Sequence, residues 1–149
     1  MPYTAKDVSI GFTGTGQRPL TQVQRRSLQH YLEACLELGY NTFHHGDCEH
    51  ADAEAHDIAY AIGYNIVIHP PLNEYKRAFK GFISMTTVAA ARVTILPAKE
   101  FIPRNHDIVD AVGRIFACPK ERFEVIRSGT WATVRYARKQ HVPVEIIYP

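Results

Sequence analysis

Short apolar runs alternate with longer amphipathic stretches along the chain, and glycines or prolines separate them. The apolar runs predict buried strands at residues 8–13, 42–45, 65–69, 114–118 and 144–148. The amphipathic stretches predict helices at residues 20–38, 52–62, 104–112 and 128–140. Strands that alternate with helices across short links predict a mainly parallel sheet with helices on both faces. The expected fold class is therefore α/β, a Rossmann-like three-layer α/β/α domain with about five strands.

The middle of the chain, residues 72–103, shows no clear period. It contains the run MTTVAAARVTILPAKEF, which fits either an irregular flap with a strand near residues 92–96 or a short helix. Four apolar side chains of this segment either form an interface between two copies of the chain or close the core: Phe79, Phe82, Ile83 and Met85. A homodimer is therefore one of two interpretations of this segment.

Length, composition and charge limit the classes of protein to which the chain can belong. With 149 residues, of which 46% are hydrophobic and 21% charged, the chain is expected to form one domain over residues 1–149. Three cysteines without a CxxC spacing argue against a disulfide framework. No signal peptide and no apolar stretch near the ~18 residues that cross a membrane are found, so we expect a soluble, cytoplasmic protein without a membrane partner. A net charge of +2 without a basic stripe disfavours DNA as a partner.

The turn after the first predicted strand carries residues suited to an anion. It contains Gly14, Thr15, Gly16 and Arg18. In an open parallel sheet, ligands bind beyond the carboxyl ends of the strands. Glycines there allow backbone N–H groups to approach an anion, and Arg18 offers a bidentate contact. The same glycines also suit a purely geometric link between strand and helix, and both interpretations stay open.

The turn after the second strand is dense in polar residues. Gly46 begins it, and Asp47 and Asp52 are placed to bind ribose hydroxyls, although Asp52 also suits a helix cap. Several potential metal ligands occur here, namely His44, His45, Asp47, Cys48 and His50. Because His44 and His45 alternate along a strand, their side chains point to opposite faces of the sheet. We therefore predict no metal site.

A third turn precedes the last helix and resembles a phosphate cradle. It consists of Arg127, Ser128, Gly129 and Thr130. Free N–H groups at a helix start, together with small hydroxyls and a glycine, bind phosphate. The alternative is a capping serine in a tight turn, which explains Ser128 alone. The preceding helix opens with Arg104 and Asn105, which are expected to face the same crevice and to hold a phosphate or a developing negative charge.

Four segments together resemble the SLOG superfamily: GFTGTGQR, FHHGDCEHADAEAHDIA, PRNHDIVD and RSGTWATVRYAR. This superfamily holds Rossmann-like domains related to the Lonely Guy phosphoribohydrolases and to DNA-processing protein A. Among members of the superfamily, the chain most resembles small stand-alone proteins found in phages and bacteria. The resemblance covers nearly the whole chain, with residues 72–103 the least secure part.

The resemblance implies a nucleotide site, with departures at its catalytic end. Lonely Guy enzymes remove the base from a nucleoside 5′-monophosphate, and they use an Arg-Lys helix start and a Pro-Gly-Gly-x-Gly-Thr-x-x-Glu loop. Arg104-Asn105 matches the first motif, and Gly129-Thr130 matches the Gly-Thr of the second. Residues 125–127 (Val-Ile-Arg) replace Pro-Gly-Gly, and Thr133 replaces the glutamate. Threonine supplies no carboxylate for N-glycosidic chemistry.

These observations lead to a ranked set of expected functions. The first is binding of a nucleotide or nucleotide-derived ligand, as a sensor or sequestering protein, with no cofactor. The alternative is a hydrolase or transferase that acts on the N-glycosidic bond of a nucleoside monophosphate. Its catalytic residues would be Arg104 and a relocated carboxylate, Asp47 or Asp52. Single-stranded DNA binding ranks third, because the chain lacks a basic stripe with interleaved aromatic residues.

Overall fold

A six-stranded parallel sheet lies at the centre of the described part of the chain. The computed structural model describes residues 4–79 and 91–149. The strands are β1 (Ser9–Gly14), β2 (Thr42–His45), β3 (Asn65–Ile68), β4 (Val93–Ile95), β5 (Arg114–Cys118) and β6 (Val144–Ile146). The helices are α1 (Gln22–Glu37), α2 (Ala51–Ile62), α3 (Phe101–Asp110) and α4 (Gly129–Lys139). The strand order is β4-β3-β2-β1-β5-β6, and every pair is parallel.

Buried hydrophobic side chains on both faces of the sheet produce the three layers. Along β5, Phe116 joins the core shared with α1 and α2, whereas Ile115 joins the core shared with α3 and α4. This alternation follows from the period of two in a strand. The predicted Rossmann-like α/β fold is thus confirmed, with six strands in place of about five. The additional strand is β4, at the position near residues 92–96 that the sequence left open.

Local signals explain where the helices begin and end. Thr21 and Gln24 form a capping box before α1, with each side chain accepting the other's backbone N–H at 3.1 Å. Helix α3 begins at Phe101, three residues before the predicted start. Pro103 lies in its first turn, where the missing N–H would have no partner in the helix. The helix therefore includes Pro103, which the prediction had placed in the middle segment.

Parts of the middle segment, residues 72–79 and 91–103, belong to the described structure. Phe79 packs against the core under α2 and stacks on His56, with ring centroids 4.0 Å apart. Phe79 therefore follows the core-closing interpretation. Phe82, Ile83 and Met85 lie outside the described residues. Within residues 4–79 and 91–149, no helix is long and apolar enough to cross a membrane.

Candidate functional site

A cavity of about 450 Å³ opens at the carboxyl ends of β1, β2 and β5. The strand order reverses at β1, which places loops of both halves of the sheet around one crevice. Eleven of the thirteen predicted ligand residues line it: Gly14, Thr15, Gly16, Gly46, Asp52, Arg104, Asn105, Arg127, Ser128, Gly129 and Thr130. Residues from four separate stretches of sequence therefore meet in one place. Arg18 and Asp47 are not among the lining residues.

The turn after β1 has mostly committed its backbone donors. The Thr15 N–H donates to the Cys118 carbonyl at 3.2 Å, and the Gln17 N–H donates to Thr15 Oγ1 at 3.1 Å. A Cβ at Gly14 would come within 2.6 Å of Ala51 Cβ, so this glycine is required by the packing of α2 on β1. A Cβ at Gly16 would meet only ordinary contacts, the Glu49 carbonyl at 3.9 Å and Cys48 Cβ at 4.0 Å, and the Gly16 N–H has no acceptor among the described residues.

Arg18 braces the wall of the cavity from outside. Its Nη2 donates to the Lys120 carbonyl at 2.7 Å, and Lys120 Nζ donates to Gln17 Oε1. These bonds connect the turn after β1 to the loop after β5. The guanidinium predicted to contact an anion thus holds two loops together.

Asp47 lies beneath the turn after β2 and is fully buried. Its carboxylate accepts from Arg77 Nε at 2.5 Å and from the Phe79 N–H at 2.8 Å. Its φ is +60°, and it is not among the residues that line the cavity. In this position Asp47 ties residues 77–79 to the end of β2, and its oxygens are already paired.

Asp52 lies in the first turn of α2 and is 4% exposed. Its Oδ2 accepts from the Gly46 N–H at 3.2 Å and the Cys48 N–H at 3.1 Å. Its Oδ1 has no partner in the described part of the chain. Burial raises the pKa of Asp52 to about 6, against the opposing influence of Arg104 and the two backbone donors. Asp52 therefore braces the loop and is not the N-cap, which is His50.

Arg104 is a buried cation held by main-chain oxygens. Its Nη1 donates to the Gly46 carbonyl and to the His69 carbonyl at 3.1 Å. Its Nε donates to Asn105 Oδ1 at 2.7 Å. A Cβ at Gly46 would lie 2.7 Å from Nη1, so the glycine makes room for the guanidinium. The positive charge predicted for α3 thus lies in the cavity wall, between the ends of β2 and β3.

The start of α4 presents free backbone donors to the cavity. Ser128 caps the helix, with its Oγ accepting the Trp131 N–H at 3.2 Å. The N–H groups of Gly129 and Thr130 have no acceptor among the described residues. A Cβ at Gly129 would meet nothing within 4 Å, and Arg127 is exposed at the rim. The capping interpretation of Ser128 and the cradle interpretation of its neighbours are therefore compatible.

Thr133, at the position of the Lonely Guy glutamate, lies outside the cavity lining. It is 2% exposed, and its Oγ1 donates to the Gly129 carbonyl at 3.0 Å. A carboxylate that sequence reasoning missed, Glu121, does line the cavity and accepts from Trp131 Nε1 at 3.1 Å. The available signal was the charged pair Lys120-Glu121, which directly follows a strand beside β1. Phe101 and Cys48 were also missed as lining residues.

Cys48 is not an activated nucleophile. Burial raises the pKa of its thiol to about 12, and the neighbouring Asp52 acts in the same direction. The thiol is therefore neutral in the physiological pH range, and thiolate chemistry is not expected there.

The histidines of β2 form two separate buried pairs. His44 Nδ1 lies 2.9 Å from His69 Nε2, and His45 Nε2 lies 2.8 Å from His56 Nδ1. Because His45 Nδ1 accepts the Asp47 N–H at 3.0 Å, His45 donates from Nε2 to His56. Burial lowers the pKa of His44 and of His56 to about 4. No group of three or more metal-ligating side chains occurs among the described residues.

Comparison with known proteins establishes the class of fold. No family model matches the sequence, and no curated protein matches it. Solved structures of other proteins do share the Rossmann-like fold that the sequence pattern predicted. At sequence identities of 16–17%, the likeness extends to the fold alone.

Three solved structures share the fold over most of this chain. The molybdenum cofactor binding protein from the phototrophic bacterium Rippkaea orientalis has a TM-score of 0.68 at 17% identity, over 98% of this chain and 79% of that one. DNA processing protein A from Streptococcus pneumoniae has a TM-score of 0.69 at 17% identity, over 95% of this chain. The chain spans only 50% of that protein's length. The molybdenum cofactor carrier protein from Chlamydomonas reinhardtii has a TM-score of 0.60 at 16% identity, over 96% of this chain and 78% of that one.

Proposed function

We propose that the chain binds a phosphorylated small molecule, a nucleotide or nucleotide derivative, in the cavity at the carboxyl ends of β1, β2 and β5. The observation that carries the proposal is the free N–H pair of Gly129 and Thr130 at the start of the 11-residue helix α4. Such a helix start carries a partial positive charge and donors aimed outward, which together favour an anion. Arg127 at the rim adds a mobile cation suited to phosphate.

The size of the cavity supports a ligand larger than phosphate alone. Its volume of about 450 Å³ falls within the ~300–1,000 Å³ typical of small-molecule sites. With phosphate on Gly129 and Thr130, the remaining space extends past Asp52 and Arg104 toward the exposed ring of Phe101. A sugar and a heterocycle are of the appropriate size and polarity for that space.

The same site also suits a phosphorylated pterin. Two proteins with this fold are described as binding or carrying the molybdenum cofactor. A pterin with a phosphate group would use the same cradle at the start of α4. This candidate belongs in the same binding experiment as the nucleotides.

Binding is tested by thermal shift and calorimetry with nucleoside monophosphates and a phosphorylated pterin. A ligand at 100 times its Kd is expected to stabilise the protein by ~2.7 kcal/mol. Gly129→Asp should abolish this stabilisation, because the new carboxylate enters open space beside the phosphate donors. Gln22→Asp is the matched control, since it adds the same charge to the exposed first position of α1, outside the cavity. Absence of any ligand-induced shift, or equal effects of the two variants, would refute the proposal.

A second candidate function, N-glycosidic hydrolysis, is favoured by the position and pKa of Asp52. A buried carboxyl with a pKa of about 6 in a cavity suits acid–base chemistry or stabilisation of an oxocarbenium-like centre. Incubation with nucleoside monophosphates followed by chromatography detects this activity as free base. Release of base that disappears in Asp52→Asn would establish the enzyme, and tight binding without release would leave a binding protein.

A further inference from the structure

The two carboxylate oxygens of Asp52 have different surroundings. Oδ2 accepts two backbone N–H groups, from Gly46 and Cys48. Oδ1 is buried, belongs to a side chain that lines the cavity, and has no partner among the described residues. Buried carboxylate oxygens are normally hydrogen-bonded, because an unpaired one loses its hydration without compensation. Oδ1 is therefore a buried acceptor without a partner in the described structure, on a side chain that lines the cavity.

The donors nearest to Asp52 are committed to other acceptors. The N–H groups of Gly46 and Cys48 serve Oδ2. The Arg104 guanidinium contributes its charge to Asp52, but its N–H groups donate to the carbonyls of Gly46 and His69, to Asn105 and to the Cys48 sulfur. One Nη2 hydrogen of Arg104 and the Cys48 thiol lie nearby, but neither is hydrogen-bonded to Oδ1. A donor group of a ligand in the cavity can take this place.

We infer that Asp52 Oδ1 accepts a hydrogen bond from a sugar hydroxyl of the bound ligand, and that Asp52 is the residue by which the site selects a ribosylated phosphate ester. This inference rests on the proposed nucleotide-binding function. The donor is neutral, because the Arg104 cation beside Asp52 repels an ammonium group and the Asp52 carboxylate repels a second anion. A hydroxyl satisfies both conditions, and the phosphate end of the same ligand occupies the start of α4.

The charges around Asp52 make ligand uptake dependent on pH. Arg104 faces it from α3, Cys48 from the preceding turn and Cys118 from the end of β5. Burial raises the pKa of both thiols, so they stay neutral when Asp52 titrates with its pKa of about 6. A donated hydrogen bond favours the ionised carboxyl and lowers its pKa in the complex. Affinity should therefore fall as the pH drops below about 6, and binding near that pH should release a proton.

Calorimetry with a ribonucleoside 5′-monophosphate and its 2′,3′-dideoxy analogue tests the inference. The wild type should bind the analogue about tenfold more weakly or worse, because Oδ1 then stays unpaired. Asp52→Asn places an amide donor in the cavity and should bind both ligands alike, at the level of the analogue. Asp57→Asn is the matched control: it removes a carboxylate from an exposed position of the same helix, outside the cavity, and should keep the preference for the ribonucleotide. Repeating the titration in buffers of different ionisation enthalpy measures the released proton.

The possible outcomes distinguish a failure of the inference about Asp52 from a failure of the proposed binding function. If the wild type binds both ligands equally, no hydroxyl reaches Asp52 and the inference is wrong while the binding function stands. If Asp52→Asn weakens both ligands to the same extent, the donor is a ring N–H and the assignment to a sugar hydroxyl is wrong. If no nucleotide binds the wild type, the proposed function fails and the inference fails with it. If Asp52→Asn does not fold, the comparison of the two ligands on the wild type still tests whether a sugar hydroxyl contributes to binding, and the released proton tests whether Asp52 accepts from it.

Discussion

Replacing Asp47 with alanine should destabilise the protein by about 3–5 kcal/mol. Asp47 is fully buried, and Arg77, its partner at 2.5 Å, has a side chain only 19% exposed. The substitution removes two hydrogen bonds to a charged acceptor, from Arg77 and from the Phe79 N–H. Each such bond contributes about 1.5–3 kcal/mol. Because the guanidinium can partly reach water, the loss should fall short of the sum of the upper values.

The chain supplies a matched control in Asp107→Ala. Asp107 pairs with Lys99 at the same distance of 2.5 Å, but the two side chains are 41% and 51% exposed. An exposed pair of this kind contributes about 0–1 kcal/mol. Urea denaturation with linear extrapolation compares the free energies of unfolding of the two variants. Equal losses in the two variants would refute the argument that burial decides the strength of the Asp47 pair.

A more conservative substitution, combined with a binding measurement, separates a structural role of Asp47 from a ligand-binding role. Asp47→Asn keeps one acceptor and a residue type that tolerates positive φ, so the variant should fold. Its affinity for a bound nucleotide should match the wild type, because Asp47 lies outside the cavity lining. A loss of affinity without a loss of stability would return Asp47 to the site.

Two further predictions concern packing and pH. Gly46→Ala should lower the free energy of unfolding by about 1–3 kcal/mol, because its Cβ would meet Arg104 Nη1 at 2.7 Å. Gly129→Ala is the control and should cost nothing, because its Cβ enters open space. Denaturation curves of the two variants measure the difference. Acid should weaken the fold, because burial lowers the pKa of His44 and His56 from 6.5 to about 4. The unfolded chain binds those protons first, so stability is full above pH 6.5 and declines as the pH falls toward 4. The pKa of Asp52 is raised from 3.8 to about 6, so its protonation favours the folded state as the pH falls. This effect opposes that of the histidines, but it comes from one group against two. A melting temperature that stays constant across this range would contradict the reasoning.

The sequence pattern located most of the secondary structure because the signals are local. The limits of β2 and β5 were predicted to the residue, since apolar β-rich runs end there at polar turns. The helix α3 begins three residues before its predicted start, because Pro103 is accommodated in the first turn, where a proline costs the helix no hydrogen bond. The short strand β4 was ambiguous because three residues carry too little periodicity to distinguish a strand from a helix.

The position of side chains within the site depends on facts that sequence spacing does not contain. Topology alone brings the turns after β1 and β2 to one edge, and it correctly placed eleven predicted residues around one cavity. Asp47 is paired with Arg77 and the Phe79 N–H, and Arg18 with the Lys120 carbonyl. These partners are 30 to 102 residues away in the sequence, so spacing does not reveal them. The unpaired oxygen of Asp52 was equally hidden, because it results from which donors the neighbouring loops consume.

The bonds of Arg104 to main-chain carbonyls have a consequence for how the chain can vary. Every residue type has a carbonyl oxygen, so the bond to residue 69 does not require a particular side chain there, whereas the bonds to Asn105 Oδ1 and Cys48 Sγ do. The position of the guanidinium also depends on the absence of a Cβ at Gly46. A substitution of His69 can therefore keep this contact of the cation, whereas any side chain at position 46 displaces the guanidinium.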